Sequence, residues 1–218
     1  MLHFGAVDHR ATVWVDGVRV GEHEGGHTPF SLDITDALPS PARSFAIVVR
    51  AEDEVGDAGQ PRGKQTWLPE PSGLYHPRTT GIWQPVWLER RGATAVERLT
   101  WTPDVAAATV RLTARLTAAP RRPVRLAVTL RLSDEVLAEQ TVRVTGRSVT
   151  VDVALPDAAD SRRLQRLLWS PDRPTLLDAD VSLLDGEVLL DRVQSYVGYR
   201  SVAVDDGELP KGPADRQA

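Results

Sequence analysis

Residues 124–132 read VRLAVTLRL and alternate apolar side chains with polar or small ones along the whole segment. A period of two is typical of a β-strand with one face buried and the other in solvent. Similar segments with turn residues between them occupy 95–102, 109–117, 136–144, 148–155, 179–184, 188–193 and 196–204. This strand set predicts an immunoglobulin-like β-sandwich over residues 93–204. The chain has no cysteine, so the sandwich would have no disulfide. Only residues 158–169 have a helical pattern, and Pro171 limits its length.

Residues 1–92 also have β-strand patterns, but in shorter segments. Predicted strands cover 2–7, 12–15, 18–21, 30–34, 44–51 and 82–89. Asp16-Gly17 lies between two of them and is a strong hairpin signal. Residues 52–80 differ, because Gly, Pro and charged residues occur throughout and no periodicity is present. Loops of this length are uncommon in compact domains and usually functional, so we expect a functional loop here.

Composition excludes several classes of function. The net charge is -4 and the pI about 5.7, which favours neither nucleic acid nor an anionic membrane as a partner. No run of about 18 apolar residues occurs, so no membrane span is predicted. The absence of cysteine also removes thiolate chemistry. The N-terminal residues show no basic region followed by an apolar stretch, so we expect a cytoplasmic location.

Residues 23–27, HEGGH, match the H-E-x-x-H pattern of zinc metalloproteases. That chemistry needs a helix, on which His23 and His27 would bind one zinc ion while Glu24 activates a water. The intervening glycines each cost about 1 kcal/mol relative to Ala in a helix interior. The β-rich residues before the motif and Thr28-Pro29 after it favour extended chain. We therefore predict a loop between strands at 23–27 and no metal site.

Four segments, taken in chain order, resemble one enzyme family. They read FGAVDHRATVWVDGVRVGEHEGGHTPFSLDIT, QPRGKQTWLPEPSGLYHPRTTGIWQPVWLE, LWSPDRPTLLDADVSLLDG and SYVGYRSV. Together they resemble glycoside hydrolase family 2, the β-galactosidases, β-glucuronidases and β-mannosidases. The resemblance implies a jelly-roll sugar-binding domain, an immunoglobulin-like sandwich and a catalytic TIM barrel, in that order. We therefore expect an all-β chain with a partial jelly roll at 1–92 that lacks its opening strands. The sandwich would follow at 93–204, and 205–218 would be a disordered tail or a truncated linker to an absent barrel.

The resemblance also bears on catalysis. Retaining enzymes of this kind use two carboxyl groups, and in this family both belong to barrel glutamates, the acid/base following an Asn. A barrel needs at least about 200 residues, and the chain contains no Asn at all. We therefore expect a non-catalytic fragment, inactive alone and without a cofactor, whose partners are carbohydrate and a barrel in cis or as a split product. The alternatives are a free-standing carbohydrate-binding module and a structural sandwich that binds no sugar.

The candidate site residues belong to the long loop. They are Arg62, Lys64, Gln65, Trp67, Tyr75 and Arg78, in a carbohydrate-binding or barrel-anchoring role. Some β-galactosidases of the family use an acidic residue in the stretch matched by residues 75–78, YHPR, and none stands here. Among the other tryptophans, we predict that those in strands fill the cores, with sugar stacking as the alternative. These are Trp14, Trp83, Trp87 and Trp101.

Overall fold

The computed structural model describes residues 1–39, 44–54, 56–57, 59–68 and 70–202. The chain divides into two compact units, Met1–Arg90 and Arg91–Ala218. Both consist of antiparallel strands, which confirms the all-β prediction. The predicted tail at 205–218 lies outside the described residues. Within the described part, no helix has the length and apolar character needed to cross a bilayer.

The part of the first unit that the structure describes contains eight short strands. They are β1 (Leu2–Phe4), β2 (Val7–Asp8), β3 (Arg10–Val15), β4 (Val18–Glu24), β5 (Phe30–Leu32), β6 (Ile47–Glu52), β7 (Gly81–Ile82) and β8 (Val86–Leu88). A 3-10 turn covers Thr35–Ala37. The strands form two sheets, β5-β1-β8 and β4-β3-β6, and a ribbon, β2-β7. The core consists of fully buried side chains from β1, β2 and β3 together with Ile34.

Two of the predicted strands, 2–7 and 82–89, are each interrupted at the point where their backbones approach one another. The segments 2–7 and 82–89 are each broken, at Gly5 and Pro85, which leaves β1, β2, β7 and β8 as separate short strands. The amide of Gly5 donates a hydrogen bond of 2.8 Å to the carbonyl of Pro85. A Cβ on Gly5 would lie 2.6 Å from Cβ of Gln84, so only glycine fits there.

One pair of sheet edges in the first unit is in contact, and the opposite edges carry exposed apolar side chains. β4 approaches β5 so closely that a Cβ on Gly21 would lie 2.5 Å from Cδ2 of Leu32. β6 and β8 end their sheets on the opposite side. The large apolar side chains on these two edges that remain at least a third exposed are Ile47, Val48, Val86, Trp87 and Leu88. Among the described residues, the first unit therefore has one apolar, unpaired side.

In its described residues, the second unit contains nine strands and one α-helix. They are β9 (Val96–Asp104), β10 (Thr109–Leu116), β11 (Val124–Leu132), β12 (Glu135–Val144), β13 (Ser148–Ala154), α1 (Ser161–Leu167), β14 (Trp169–Ser170), β15 (Arg173–Pro174), β16 (Leu177–Asp185) and β17 (Val188–Val197). Sheets β13-β10-β9 and β12-β11-β16-β17 form the layers, and β14-β15 is a ribbon. The predicted strands at 188–193 and 196–204 are one strand, β17, that ends at Val197.

The sandwich of the second unit encloses one continuous apolar core. Its buried members come from both sheets, because alternate residues of each strand point inward. In β11 the alternation predicted five inward residues, and Val124, Leu126, Val128 and Leu130 are buried, whereas Leu132, which follows a register shift at Arg131, is only partly buried. The helix α1 begins where the Asp160 side chain accepts hydrogen bonds from the amides of Arg162 and Arg163, an N-cap.

Candidate functional site

The long loop of the first unit is fastened to the core by a buried carboxylate. Asp8, at the end of β2, is only 7% exposed. Nε2 of Gln65 donates a hydrogen bond of 3.2 Å to Oδ2 of Asp8. Oε1 of the same Gln65 side chain accepts from the amide of Thr79 at 3.0 Å. One side chain therefore ties the middle and the end of the loop to β2.

The two branches of the loop also bind one another through their backbones. The amide of Thr66 donates to the carbonyl of His76 at 2.9 Å, and the amide of His76 donates to the carbonyl of Lys64 at 2.8 Å. This pairing is an isolated parallel bridge between Gln65 and His76. Thr66 is 3% exposed, and its hydroxyl accepts from the amide of Leu68 at 3.1 Å. The loop is therefore internally ordered where its branches meet.

A second carboxylate holds the base of the loop. Oδ1 of Asp53 lies 2.6 Å from Nη2 of Arg78, and the two side chains are 5% and 18% exposed. The hydroxyl of Thr80 donates to Oδ2 of Asp53 at 3.0 Å. Both oxygens of Asp53 therefore have partners, as a largely buried carboxylate requires.

Replacing Asp53 with Asn is expected to loosen the loop without unfolding the second unit. A neutral amide cannot balance the Arg78 guanidinium, and a hydrogen bond to a charged group is worth about 1.5–3 kcal/mol. The measurement is the rate of trypsin cleavage after Arg62 and Lys64, which should rise in Asp53→Asn. Glu54→Gln is the control, since Glu54 is an exposed carboxylate of the same loop. Equal cleavage rates in the wild type and Asp53→Asn would contradict the anchoring role.

An aromatic pair stands on the outer face of the loop. The rings of Trp67 and Tyr75 meet edge to face, with centroids 5.0 Å apart and planes at 68°. Trp67 is 52% exposed and Tyr75 43% exposed, so the pair is not part of the core. Leu68 and Leu74 beside them are also exposed. This apolar surface fits the C–H face of a sugar ring or a contact with another domain.

The structure divides the six predicted site residues into inward and outward groups. Gln65 and Arg78 point inward and hold the loop through Asp8 and Asp53. Of the other four, Lys64, Trp67 and Tyr75 are exposed, whereas Arg62 is half-buried and its Nη2 donates to the carbonyl of Asp57. Sequence reasoning missed both anchoring carboxylates, because each meets its partner only through the tertiary fold and no spacing along the chain marks it.

The tryptophan prediction is wrong for two of its four residues. Trp83 and Trp87 are 51% and 43% exposed. Nε1 of Trp83 donates to the carbonyl of Gly26 at 2.7 Å, and Nε1 of Trp87 donates to Oε1 of Glu89 at 2.8 Å. Trp14 and Trp101 are partly buried in their strands. The two exposed rings lie at or beside β7 and β8, where the first unit presents its apolar side.

The HEGGH segment is extended rather than helical. The loop prediction is wrong for His23 and Glu24, which are the last residues of β4, and the turn follows them. Nε2 of His23 lies 2.9 Å from the hydroxyl of Thr28, whereas the His27 ring contacts the Trp83 ring edge-on at 5.5 Å. The two imidazoles therefore have separate partners. No group of three or more metal-ligating side chains occurs among the described residues.

Comparison with known proteins finds similarity to part of several longer proteins, which are named as glycosidases. The model of the family described as glycosyl hydrolases family 2 matches residues 94–200. A β-galactosidase of Thermoanaerobacter pseudethanolicus is 26% identical over 212 residues, which are 95% of this chain and 27% of that protein. A β-glucuronidase of Paenibacillus borealis is 29% identical over 217 residues, covering 94% of this chain and 34% of that protein.

Solved structures show the same fold. A glycosyl hydrolase family 2 member from Bacteroides cellulosilyticus superposes with a TM-score of 0.66 at 22% identity, over 93% of this chain and 26% of that one. A β-glucuronidase from Bacteroides uniformis gives a TM-score of 0.65 at 21% identity, over 92% of this chain and 24% of that one. The chain therefore spans about a quarter to a third of the length of the proteins that it matches.

Proposed function

We propose, from the premise that this chain belongs to glycosyl hydrolases family 2, that it is the non-catalytic β-sandwich part of a retaining β-glycosidase. In this role the first unit contributes carbohydrate binding through its long loop. Both units support a catalytic barrel, supplied in cis or as a separate product. The parent activity is hydrolysis of O-glycosidic bonds.

The observation that carries the proposal is the contrast between the two sides of the loop. Its inner side is held by two largely buried carboxylates, Asp8 and Asp53. Its outer side presents Trp67 and Tyr75 about half exposed and in contact with each other. Ordering a long loop costs conformational entropy, about 1–2 kcal/mol for each backbone residue. An ordered loop with an exposed aromatic face is the arrangement expected of a binding surface.

The chain alone is expected to show no glycosidase activity. Retaining hydrolysis needs a nucleophile and an acid/base about 5–5.5 Å apart, and in the family both are barrel glutamates. Acidic side chains in the described part of the two units engage arginines and backbone amides instead, as Asp152 and Asp160 do. Assays of the purified chain with aryl β-galactoside, β-glucuronide and β-mannoside should give no turnover above buffer.

Reproducible hydrolysis that one Glu or Asp substitution abolishes would contradict the non-catalytic role. The matched positive experiment joins this chain to a barrel encoded by the adjoining coding sequence. Activity should then appear, and Trp67→Ala should lower it if the loop faces the substrate. Tyr196→Ala is the control, because Tyr196 is an exposed ring of β17 in the second unit.

A free-standing carbohydrate-binding module is the second candidate function. The exposed Trp67–Tyr75 pair favours this candidate as much as it favours the supporting part of a glycosidase. The two candidates differ in what the chain does without a barrel. A carbohydrate-binding module would bind a glycan tightly without any other domain. A supporting domain would bind the same glycan weakly until the barrel completes the binding site. Binding of sugars by the isolated chain and activity of the joined protein therefore distinguish them.

A further inference from the structure

We propose that two copies of this chain associate through β6, with the two β6 strands antiparallel about a twofold axis beside Val49. In such a dimer the two three-stranded sheets β4-β3-β6 become one continuous sheet. The inference concerns the free edge of this sheet and does not rest on the proposed carbohydrate role of the long loop. The occupant of the edge is the same strand of a second copy.

Every second residue of β6 directs its backbone groups away from the sheet. The amide of Asp16 donates to the carbonyl of Ala46 at 2.9 Å, just before β6 begins. On the other side of β3, the amide of Gly25 donates to the carbonyl of His9 at 2.9 Å, which gives the same alternation. Since hydrogen-bonded pairs alternate along an antiparallel ladder, the even-numbered residues of β6 bond toward β3 and the odd-numbered ones face outward. The outward residues, for which the described residues provide no backbone partner, are Ile47, Val49 and Ala51.

The side chains of this edge are apolar and remain in contact with water. Val48 is 54% exposed on the outer face of the sheet. Ile47 is 37% exposed on the opposite face, which it shares with Val49, and Val49 packs against the core. Ile47 remains exposed because β6 ends the sheet. A second β6 strand would bring its Ala51 beside Ile47, so that apolar surface at both edges is removed from water.

The charges of β6 select the register of the pairing. Only registers that bring outward residues opposite outward residues satisfy the backbone, and two of these overlap nearly the whole strand. With the axis beside Arg50, the two guanidinium groups would lie directly opposite each other, which is destabilising. With the axis beside Val49, Val48 lies opposite the aliphatic stem of Arg50 of the second copy. Each guanidinium then keeps its own Glu52, 2.5 Å away.

The other free edge of the first unit is a poorer partner for β6. β8 ends its sheet as well, but it has three residues, whereas β6 has six. A contact of β6 with β8 of a second copy would also be heterologous, leaving one β6 and one β8 free for further copies. The contact of β6 with β6 is isologous and closes at the dimer.

The first experiment follows the association of the full chain by sedimentation velocity as its concentration is raised. The chain should pass from monomer to dimer and go no further. Val49→Pro should abolish the dimer, because proline has no amide to donate and the amide of residue 49 is not needed by β3. Val49→Ala is the matched control, since it truncates the same side chain but keeps the amide, and it should still dimerise.

A charge at position 48 tests the register. With the axis beside Val49, residue 48 faces Arg50 of the second copy, so Val48→Glu should dimerise about tenfold more tightly than Val48→Lys. With the axis beside Arg50, residue 48 would face Glu52 instead, and the order of the two variants would be reversed. The difference should shrink in 1 M salt, where the Debye length is about 3 Å.

Each outcome supports or refutes the inference. A chain that stays monomeric at every concentration, or a dimer that persists in Val49→Pro, refutes association through β6. Growth beyond the dimer indicates the heterologous contact with β8 and refutes the closed pair. Tighter association of Val48→Lys, or equal association of the two charge variants, refutes the axis beside Val49. Unchanged indole N–H resonances of Trp83 and Trp87 in NMR show that a variant keeps the first unit folded. If Val49→Pro fails this check, the variants of the exposed Val48 still decide.

Discussion

The fragment 93–204 is expected to fold cooperatively on its own, whereas the fragment 1–92 is expected to aggregate. The second unit buries the inward side chains of both its sheets in a single core. The first unit has a smaller core and leaves apolar side chains exposed on β6 and β8, among them Val48 and Leu88. Unpaired edges with exposed apolar side chains are a recognised route to aggregation.

Limited proteolysis of the full chain tests the first half of this prediction. A resistant C-terminal core beginning near Ala93 should remain, and mass spectrometry locates its start. The isolated fragment 93–204 should then give a single sharp thermal transition, followed by Trp101 and Trp169.

The fragment 1–92 tests the second half. It should be insoluble or bind hydrophobic dyes strongly. The matched control for the exposed edges is Val48→Lys in the same fragment, since a lysine on an edge strand opposes edge-to-edge pairing and should reduce dye binding. A soluble fragment 1–92 with a cooperative thermal transition would show that the first unit is stable as it stands, contrary to this prediction.

Replacing Tyr199 with Ala is expected to destabilise the second unit by about 3–5 kcal/mol, the range for removing a large buried aromatic side chain. Tyr199 is fully buried, and its hydroxyl donates to the carbonyl of Asp104, at the end of β9, at 3.1 Å. Its own carbonyl accepts from the amide of Trp169, in β14, at 3.0 Å. One residue thus joins the chain that follows β17 to β9 and β14.

Tyr199→Phe separates packing from hydrogen bonding. It keeps the ring and should cost only about 0.5–1.5 kcal/mol. Urea unfolding of the fragment 93–204, followed by tryptophan fluorescence, gives both free energies of unfolding. Tyr196→Ala is the control, because Tyr196 is 64% exposed near the end of β17, three residues before Tyr199, and should cost little. A loss in Tyr199→Ala no larger than in the control would refute the structural role of Tyr199.

The burial of Tyr199 also predicts that the free energy of unfolding of the second unit depends on pH. Burial, followed by the charge of Asp104, raises the pKa of Tyr199 above its ordinary value of 10.0. A raised pKa means that the folded state favours the neutral phenol. The associated stability is therefore fully present below pH 10 and is lost as the pH rises through the folded-state pKa. As the pH rises above 10, Tyr199→Phe should lose less stability than the wild type, and equal losses would contradict the assignment.

The sequence determined the fold class and the long strands of the second unit, whereas β14 and β15 were not predicted and β17 was predicted as two strands. In β11 the alternation of Val124, Leu126, Val128 and Leu130 predicted both the strand and its buried face, and the structure agrees. Alternation is a local property, since a period of two follows from the pleat of the backbone whatever partner strand is present. The two glycines of HEGGH also excluded a helix at residues 23–27. Their cost in a helix interior is a property of the glycines themselves and needs no knowledge of the tertiary structure.

The tertiary structure alone decided the environment of the tryptophans and the anchoring of the loop. Trp83 and Trp87 follow a strand pattern, yet they are half exposed, because burial depends on what lies against a strand and not on the strand itself. Asp8 and Gln65 are 57 residues apart in the chain and meet only because the folded chain brings the loop against β2. The energy of such a contact depends on distance in space, which no spacing along the sequence encodes.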